Sequence, residues 1–151
     1  MPLVLGADRR LALAVAAVLD IALHGGVGPV QSKDTANRLG LPRRHLEQLM
    51  QRLVRAGLLK GVRGPKGGYR LARERRRITL ADIVLALQAE PEGEARPEPG
   101  TALAEDVLAP VWAELEAVLV ERLASISLES LCERAMAAGR GPRPGDVDFV
   151  I

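Results

Sequence analysis

Apolar residues recur along this chain with two different periods, and each period predicts a different kind of element. The helical period is clearest in a segment that opens at Pro42 and ends before Gly57. Apolar residues follow i, i+3, i+4, i+7 and i+8 spacing there, as expected of the buried face of a helix. These residues are Leu46, Leu49, Met50, Leu53 and Val54. The opposite face of the same helix is basic and rich in amides.

Two further helices are predicted before this one. The first runs from Asp8 to about His24 and is apolar nearly all round, which predicts a buried helix with Asp20 either facing out or hydrogen-bonded. The second is short and ends at Gly40, since glycine tolerates the left-handed conformation that closes many helices. The short helix, the Gly-Leu-Pro turn and the longer helix have the dimensions of a helix-turn-helix.

A basic, glycine-rich turn, Arg63 to Gly68, follows the helix-turn-helix and joins two short apolar runs. The runs have the composition of paired strands and cover Leu58 to Val62 and Tyr69 to Ala72. The turn and its flank carry Arg63, Lys66 and Arg70, which suits insertion beside a phosphate backbone. The sequence therefore predicts a mainly α winged helix-turn-helix domain with a two-stranded β wing.

The C-terminal half is predicted to be helical, with an acidic, proline-rich loop at its start. A capping box, Thr79 to Asp82, opens a helix that reaches about Gln88, and a long helix runs from near Asp106 to Ala124. One broad apolar face of the long helix contains Leu108, Val111, Trp112, Leu115, Val118 and Leu119. We interpret this face as a dimer interface; the alternative is that it packs wholly on the chain's own first helix. The predicted units are a DNA-binding domain (1–89), the acidic loop (90–105), a dimerisation arm (106–138) and a flexible tail (139–151).

The distribution of charge points to a polyanionic partner. The net charge is only +2, but residues 1–80 hold 16 Lys and Arg against 5 Asp and Glu, a net of +11, and residues 81–151 hold 5 against 14, a net of −9. Neutralising phosphates releases counterions and supplies much of nucleic-acid affinity, so the basic half favours DNA binding. A merely solvated basic surface, or a winged helix that binds proteins instead, is the alternative interpretation.

Candidate base contacts lie at the start of the third helix, which enters the major groove in a helix-turn-helix. Arg43 and Arg44 stand where such contacts begin, and arginine pairs bidentately with guanine. Gln48 suits adenine, and Glu47 can accept from the amino group of cytosine. A three-helix fragment with solvated arginines is the alternative to this hypothesis.

Other classes of function find little support in the sequence. Two arginines before the apolar run of the first helix resemble an export signal, but Asp20 interrupts the run and it is too short to span a bilayer. Cys132 is the single cysteine, which fits a reducing cytoplasm, and we expect it to be a buried structural residue rather than a redox sensor. We expect no metal site, no catalytic site and no membrane association.

Several motifs together resemble the IscR/NsrR-type family of bacterial winged-helix transcription regulators. The resemblance covers residues 10–87 closely and 107–133 more loosely, and it is carried by Val18 to Leu23, His45 to Leu49, Gly57 to Leu59 and Val62 to Tyr69. It implies a homodimer formed through the long helix, which binds a near-palindromic operator on double-stranded DNA and represses or activates nearby genes. It also implies that Glu47 is the family's recognition-helix glutamate and that Arg63 enters the minor groove.

The expected DNA-binding set combines the basic surface with these motif positions. It comprises Arg43, Arg44, His45, Glu47, Gln48, Arg52, Arg63, Lys66, Gly67, Tyr69 and Arg70.

The chain departs from the resemblance at the loop before the long helix. Many family members carry three cysteines there, which ligate an iron–sulfur cluster. Residues 90–106 of this chain contain neither cysteine nor histidine, whereas a cluster needs about four thiolates, or three and one other ligand. We therefore expect no cofactor and a resemblance to cluster-free members, whose effector is a small molecule, a protein, or none.

Overall fold

The computed structural model describes residues 9–88 and 100–143 of the 151-residue chain. The predicted positions outside these ranges are Asp8, most of the acidic loop and the end of the tail. The described part is mainly helical with one antiparallel two-stranded sheet, as predicted. Its elements are α1 (Arg9–His24), α2 (Ser32–Leu39), α3 (Arg43–Arg55), β1 (Leu59–Val62), β2 (Gly68–Leu71), α4 (Leu80–Gln88), α5 (Ala109–Ala124) and α6 (Leu128–Ala137).

Helix α1 lies at the centre of the core and contacts α2, α3, α4, α6 and β2. Ala14 and Ala17 are fully buried, and their small side chains let neighbouring elements approach the helix closely. Val18 and Ile21 fill the space beside them. The prediction of a buried first helix is therefore confirmed.

The helix-turn-helix is shaped by its turn residues. Gly40 closes α2 in the left-handed conformation with φ 65°, which glycine adopts without a Cβ clash. Pro42 was predicted to be the first residue of α3. It has an extended backbone (ψ 129°) and caps the helix instead, so α3 begins at Arg43. Leu46, Met50 and Leu53 are buried, and the remaining two residues of the predicted apolar stripe pack on the same core.

The wing is a hairpin of two four-residue strands, and the segment before α2 adds a third backbone partner. Leu59 pairs with Leu71 at its base and Val62 with Gly68 near its tip. The backbone of Val30 both donates to and accepts from Tyr69, each at 2.8 Å. A Cβ at Gly68 would overlap the carbonyl of Val30, so only glycine permits this close approach.

The predicted capping box opens α4, and the same region is attached to the C-terminal helices. The Thr79 amide donates to Asp82 Oδ2 at 2.9 Å, and the Asp82 amide donates to Thr79 Oγ1 at 3.3 Å. The Leu128 amide donates to the carbonyl of Ile78 at 2.7 Å. This backbone contact holds the start of α6 against the segment between the hairpin and α4.

The long helix differs from the prediction at its N-terminal end. A π-helical segment, Ala104–Leu108, precedes α5, which begins at Ala109. Pro110 explains the change, because it has no amide hydrogen and its ring clashes with the carbonyl four residues earlier. The wider π turn accommodates the proline where a regular α-helix through Asp106 would not.

Candidate DNA-binding surface

The outer face of α3 presents the side chains that were predicted to read bases. Arg44, His45 and Gln48 are exposed, and Arg43 is 63% exposed. Arg43 Nε donates to Glu47 Oε1 at 3.0 Å, one helical turn along α3. The arginine and the glutamate therefore form an ion pair on the surface that a major groove would face, with their remaining polar atoms available to bases.

Glu47 is also connected to α2. The hydroxyl of Ser32, at the first residue of α2, donates to the same Glu47 oxygen at 3.4 Å. Ser32 is buried, whereas the Glu47 side chain is 46% exposed. This contact with α2 restricts the rotamer of the Glu47 side chain.

The wing tip is a tight turn with exposed basic side chains. The Gly67 amide donates to the carbonyl of Gly64 at 2.9 Å. A Cβ at Gly67 would overlap the Val62 carbonyl, so Gly67 has a steric role in the turn rather than a side-chain role. Arg63 and Lys66 are both exposed, and each has a long side chain that extends from this compact turn.

A hydrogen bond joins α3 to the wing across an open cleft. Gln51 Nε2 donates to the Tyr69 hydroxyl at 3.2 Å. The cleft between the two elements has a volume of 570 Å³. Its lining includes Gln31, Ser32, Lys33, Arg43, Val62, Arg63 and Tyr69. The structure thus brings residues from α2, α3 and the wing around one concave, basic surface.

Two lysines were not singled out from the sequence: Lys33 lines the cleft, and Lys60 lies on the opposite face of the wing. Lys33 lines the cleft from the first turn of α2. Lys60 lies directly opposite Arg70 in the hairpin, and both are exposed. Like charges in opposite positions destabilise a sheet, and a nearby polyanion removes that penalty. The cross-strand register, which only the fold reveals, is the signal that identifies Lys60.

Arg52 occupies a different place from the other predicted contacts. Its Nη2 donates to the carbonyl of Leu87 at 3.5 Å, near the C-terminal end of α4. A cation at that end of a helix is favoured by the helix dipole. The side chain of Arg52 therefore lies between α3 and α4 and not on the cleft.

A row of apolar side chains on and before α5 is open to solvent. Val111 is 44% exposed, Leu115 46%, Trp112 53% and Val118 61%. Leu103, Val107 and Leu108 extend the row at its N-terminal end. Leu119, also predicted to lie in a dimer interface, is half-buried and packs on the chain's own core. The solvent-exposed apolar side chains of α5 and those that pack on the core therefore lie side by side on one broad face of the helix.

Residues 9–88 and 100–143 contain no cluster of three or more His, Cys, Asp or Glu side chains able to hold a metal ion. Within the same ranges, every helix is too short or too polar to cross a bilayer.

Comparison with known proteins agrees with this architecture. The sequence model of the Rrf2 family, described as an iron-dependent transcriptional regulator, matches residues 7–134. The chain belongs to the Rrf2 family. Like its relatives, this Rrf2 protein is a DNA-binding transcription regulator and not an enzyme. It is 38% identical to the HTH-type transcriptional regulator IscR of Xenorhabdus nematophila over 120 residues, which cover 78% of this chain and 73% of that protein.

Solved structures of two regulators resemble the Rrf2 protein over most of its length. The structure of T. potens IscR is 37% identical and superposes with a TM-score of 0.70, covering 90% of this chain and 92% of that one. The structure of CymR, the global cysteine regulator of B. subtilis, is 30% identical and superposes with a TM-score of 0.67, covering 84% and 95%. The winged helix-turn-helix fold expected from the sequence is confirmed.

The family description raises the question of whether this Rrf2 protein can hold an iron centre. Its one cysteine, Cys132, lies on α6 and is 3% exposed. Burial raises the pKa of the Cys132 thiol, and the charges of Glu129 and Glu133 add to this, while Arg75 acts in the opposite direction. A protonated, buried thiol is a poor metal ligand, because metals bind the thiolate. The residues of this chain do not fit a cysteine-ligated cluster.

Proposed function

We propose that this protein is a homodimeric, sequence-specific transcription regulator that works without an iron–sulfur cluster. The uncovered apolar row on α5 is the observation that carries the proposal. Monomeric proteins rarely leave a contiguous apolar surface of this kind in water. A second copy related by a two-fold axis would cover the row with the same side chains from its own α5.

Dimerisation would place two copies of the basic cleft on one duplex. In a dimeric helix-turn-helix protein, each recognition helix enters the major groove, and the two half-sites are separated by about one turn of DNA or a multiple of it. The two-fold symmetry of the protein then requires a near-palindromic operator. The exposed arginines of α3, together with Glu47 and Gln48, would read base edges within each half-site.

The wing would contribute in a different way. Arg63 and Lys66 extend from a compact turn beside the cleft, where they would reach the minor groove and the phosphate backbone. Phosphate contacts supply affinity without sequence preference, whereas base contacts by α3 supply the preference. Lys33 and Lys60 would add to the phosphate contacts.

The number of cysteine ligands in the chain supports regulation without an iron–sulfur cluster. One buried cysteine per protomer gives two sulfurs in a dimer, about half of what a cluster requires. We therefore propose that DNA affinity is set by a small-molecule or protein effector, or is constitutive. The proposed mechanism differs from that of regulators whose DNA affinity depends on the state of an iron–sulfur cluster.

An electrophoretic mobility shift experiment tests the DNA-binding part of the proposal. The probes are a duplex carrying the DNA upstream of the chain's own gene and a duplex of the same length and composition with scrambled sequence. The expected result is tighter binding to the upstream duplex, with the preference growing at higher salt because nonspecific binding is almost wholly electrostatic. Equal affinity for both duplexes would refute sequence-specific binding at that site. Absence of binding to either would favour the alternative of a winged-helix protein-interaction module.

A further inference from the structure

The buried carboxylate of Asp20 connects α1 to the helix-turn-helix. Asp20 is 7% exposed and lies on α1, the central helix of the core. Its carboxylate accepts from the Thr35 hydroxyl at 2.8 Å and from Arg38 Nε and Nη2 at 2.8 and 2.9 Å. Both oxygens are engaged, and Arg38 makes the two parallel bonds of a bidentate pair. His24 Nδ1 lies 3.4 Å from Oδ1 and 2.9 Å from the Asp20 carbonyl.

Helix α2 has few apolar side chains with which to hold its position. Of its eight residues, Ala36 is buried and Leu39 is half-buried, while the other two buried residues are the polar Ser32 and Thr35. By comparison, α3 buries Leu46, Met50 and Leu53. Apolar packing is not directional, whereas a bidentate pair fixes both distance and rotation. The polar contacts to Asp20 therefore set the orientation of α2 on α1 more than its apolar contacts do.

The orientation of α2 is passed to the recognition helix. The left-handed Gly40 makes a tight connection to α3, and the Ser32 hydroxyl of α2 contacts Glu47 on α3. Ser32 and Thr35 lie one turn apart on the buried face of α2, so this face contacts the recognition residue Glu47 at one turn and Asp20 at the next. A rotation of α2 would displace both the turn and the Glu47 rotamer.

We propose that Asp20 is a positioning residue for DNA reading: with Thr35 and Arg38 it fixes α2, and thereby α3, in the orientation that matches base edges. The inference rests on the proposed sequence-specific binding. It assigns Arg38 a role within the fold, although its place in a basic helix-turn-helix would make it a candidate phosphate contact.

The positioning role and a simple charge effect predict opposite results for Asp20→Asn. The substitution removes a negative charge from the basic half, so electrostatics alone would strengthen binding to any DNA. Loss of the bidentate pair instead weakens binding to the upstream duplex by about ten-fold, the value of one good base contact, with little change for the scrambled duplex. Asp34→Asn is the matched control, since Asp34 is an exposed carboxylate on the same α2; its removal leaves the preference between the two duplexes unchanged.

Arg38→Gln distinguishes positioning from direct phosphate contact. A lost phosphate contact weakens binding to both duplexes and lowers the salt dependence by about one. Loss of positioning lowers only the preference for the upstream duplex and leaves the salt dependence unchanged. Arg38→Lys keeps the charge but not the planar pair of donors, so it restores part of the preference.

The experiment measures the affinity of the full chain for both duplexes at several salt concentrations, with circular dichroism and thermal unfolding of each variant. The double variant Asp20→Asn with Arg38→Gln leaves no unpaired buried charge; it remains folded and binds scrambled DNA, but it lacks the preference of the wild type. Full preference in the double variant, or in both single variants, would overturn the positioning role. A reduced salt dependence in Arg38→Gln would overturn it in favour of phosphate contact. A wild type without preference would refute sequence-specific binding itself.

Discussion

Replacing Leu115 by glutamate tests whether the apolar row on α5 is the dimer interface. Leu115 is 46% exposed in the single chain, between Val111 and Val118 on the open part of the helix face. Full burial of a leucine side chain is favourable by about 1.5–3 kcal/mol, so covering its exposed half contributes about 1 kcal/mol. The two-fold axis repeats the contact, which makes the contribution about 2 kcal/mol for the dimer.

The substitution should therefore weaken dimerisation substantially. A loss of about 2 kcal/mol raises the dissociation constant about 30-fold. Glutamate must also lose its hydration at the interface and faces the same charge from the partner, so about 30-fold is a lower bound. Sedimentation velocity across the micromolar range should show a dimeric wild type and a mostly monomeric variant, with equal helix content by circular dichroism.

Ala117→Glu is the matched control for this prediction. Ala117 is exposed on the same helix, and two positions along a helix correspond to a rotation of about 200°, so the new charge points away from the apolar row. This variant should dimerise like the wild type. Val118→Glu, at the most exposed large apolar residue of α5, should behave like Leu115→Glu. A wild type that is monomeric, or a Leu115→Glu variant that dimerises as well as Ala117→Glu, would refute the proposed interface.

Three further predictions concern the wing, the cysteine and the metal content. Arg63→Ala and Lys66→Ala should each weaken binding to upstream and scrambled DNA, and Lys66→Ala should lower the slope of log affinity against log salt by about one. The control Arg140→Ala, at an exposed residue outside the wing, should change neither the affinity nor this slope. Unchanged affinity and slope in both wing variants would exclude the wing from the interface. Because burial raises the pKa of Cys132, iodoacetamide should alkylate this thiol more slowly in the folded than in the unfolded protein at about pH 8. The contribution of this thiol to stability should fall as the pH rises past about 8.5, where only the unfolded thiol ionises. Equal alkylation rates in the two states would contradict this prediction. Protein purified anaerobically after expression with added iron and sulfide should show no cluster absorption in the visible range and no stoichiometric iron, and a coloured, iron-loaded protein would overturn the cluster-free proposal.

The sequence predicted those parts of the fold that depend on local patterns. The helical stripe of α3, the capping box at Thr79 and the glycine that ends α2 each involve residues a few positions apart, so the sequence displays them directly. The π turn before α5 also had a local signal, because Pro110 lies inside the predicted helix.

Other parts of the site arise from contacts between distant elements. The pairing of Asp20 with Arg38 joins residues 18 positions apart through polar side chains, which follow no hydrophobic period. Periodicity placed Leu119 on the same apolar face as Leu115, but the position of α4 decides which flank of that face is covered within the chain. The periodicity of α3 also placed Arg52 on the side expected to face DNA. It could not show that α4 packs beside this residue and receives its hydrogen bond.

The backbone contacts of Val30 with Tyr69 bear on the entropy of DNA binding. A two-stranded hairpin alone is barely stable in water, and fixing a residue's backbone costs about 1–2 kcal/mol. With Val30 as a third partner, the backbone of β2 is ordered when the protein folds, before it meets DNA. In the proposed complex with DNA, binding would then mainly order the long side chains of the tip, Arg63 and Lys66. In that complex the wing would convert more of its electrostatic attraction into affinity than a hairpin without this attachment.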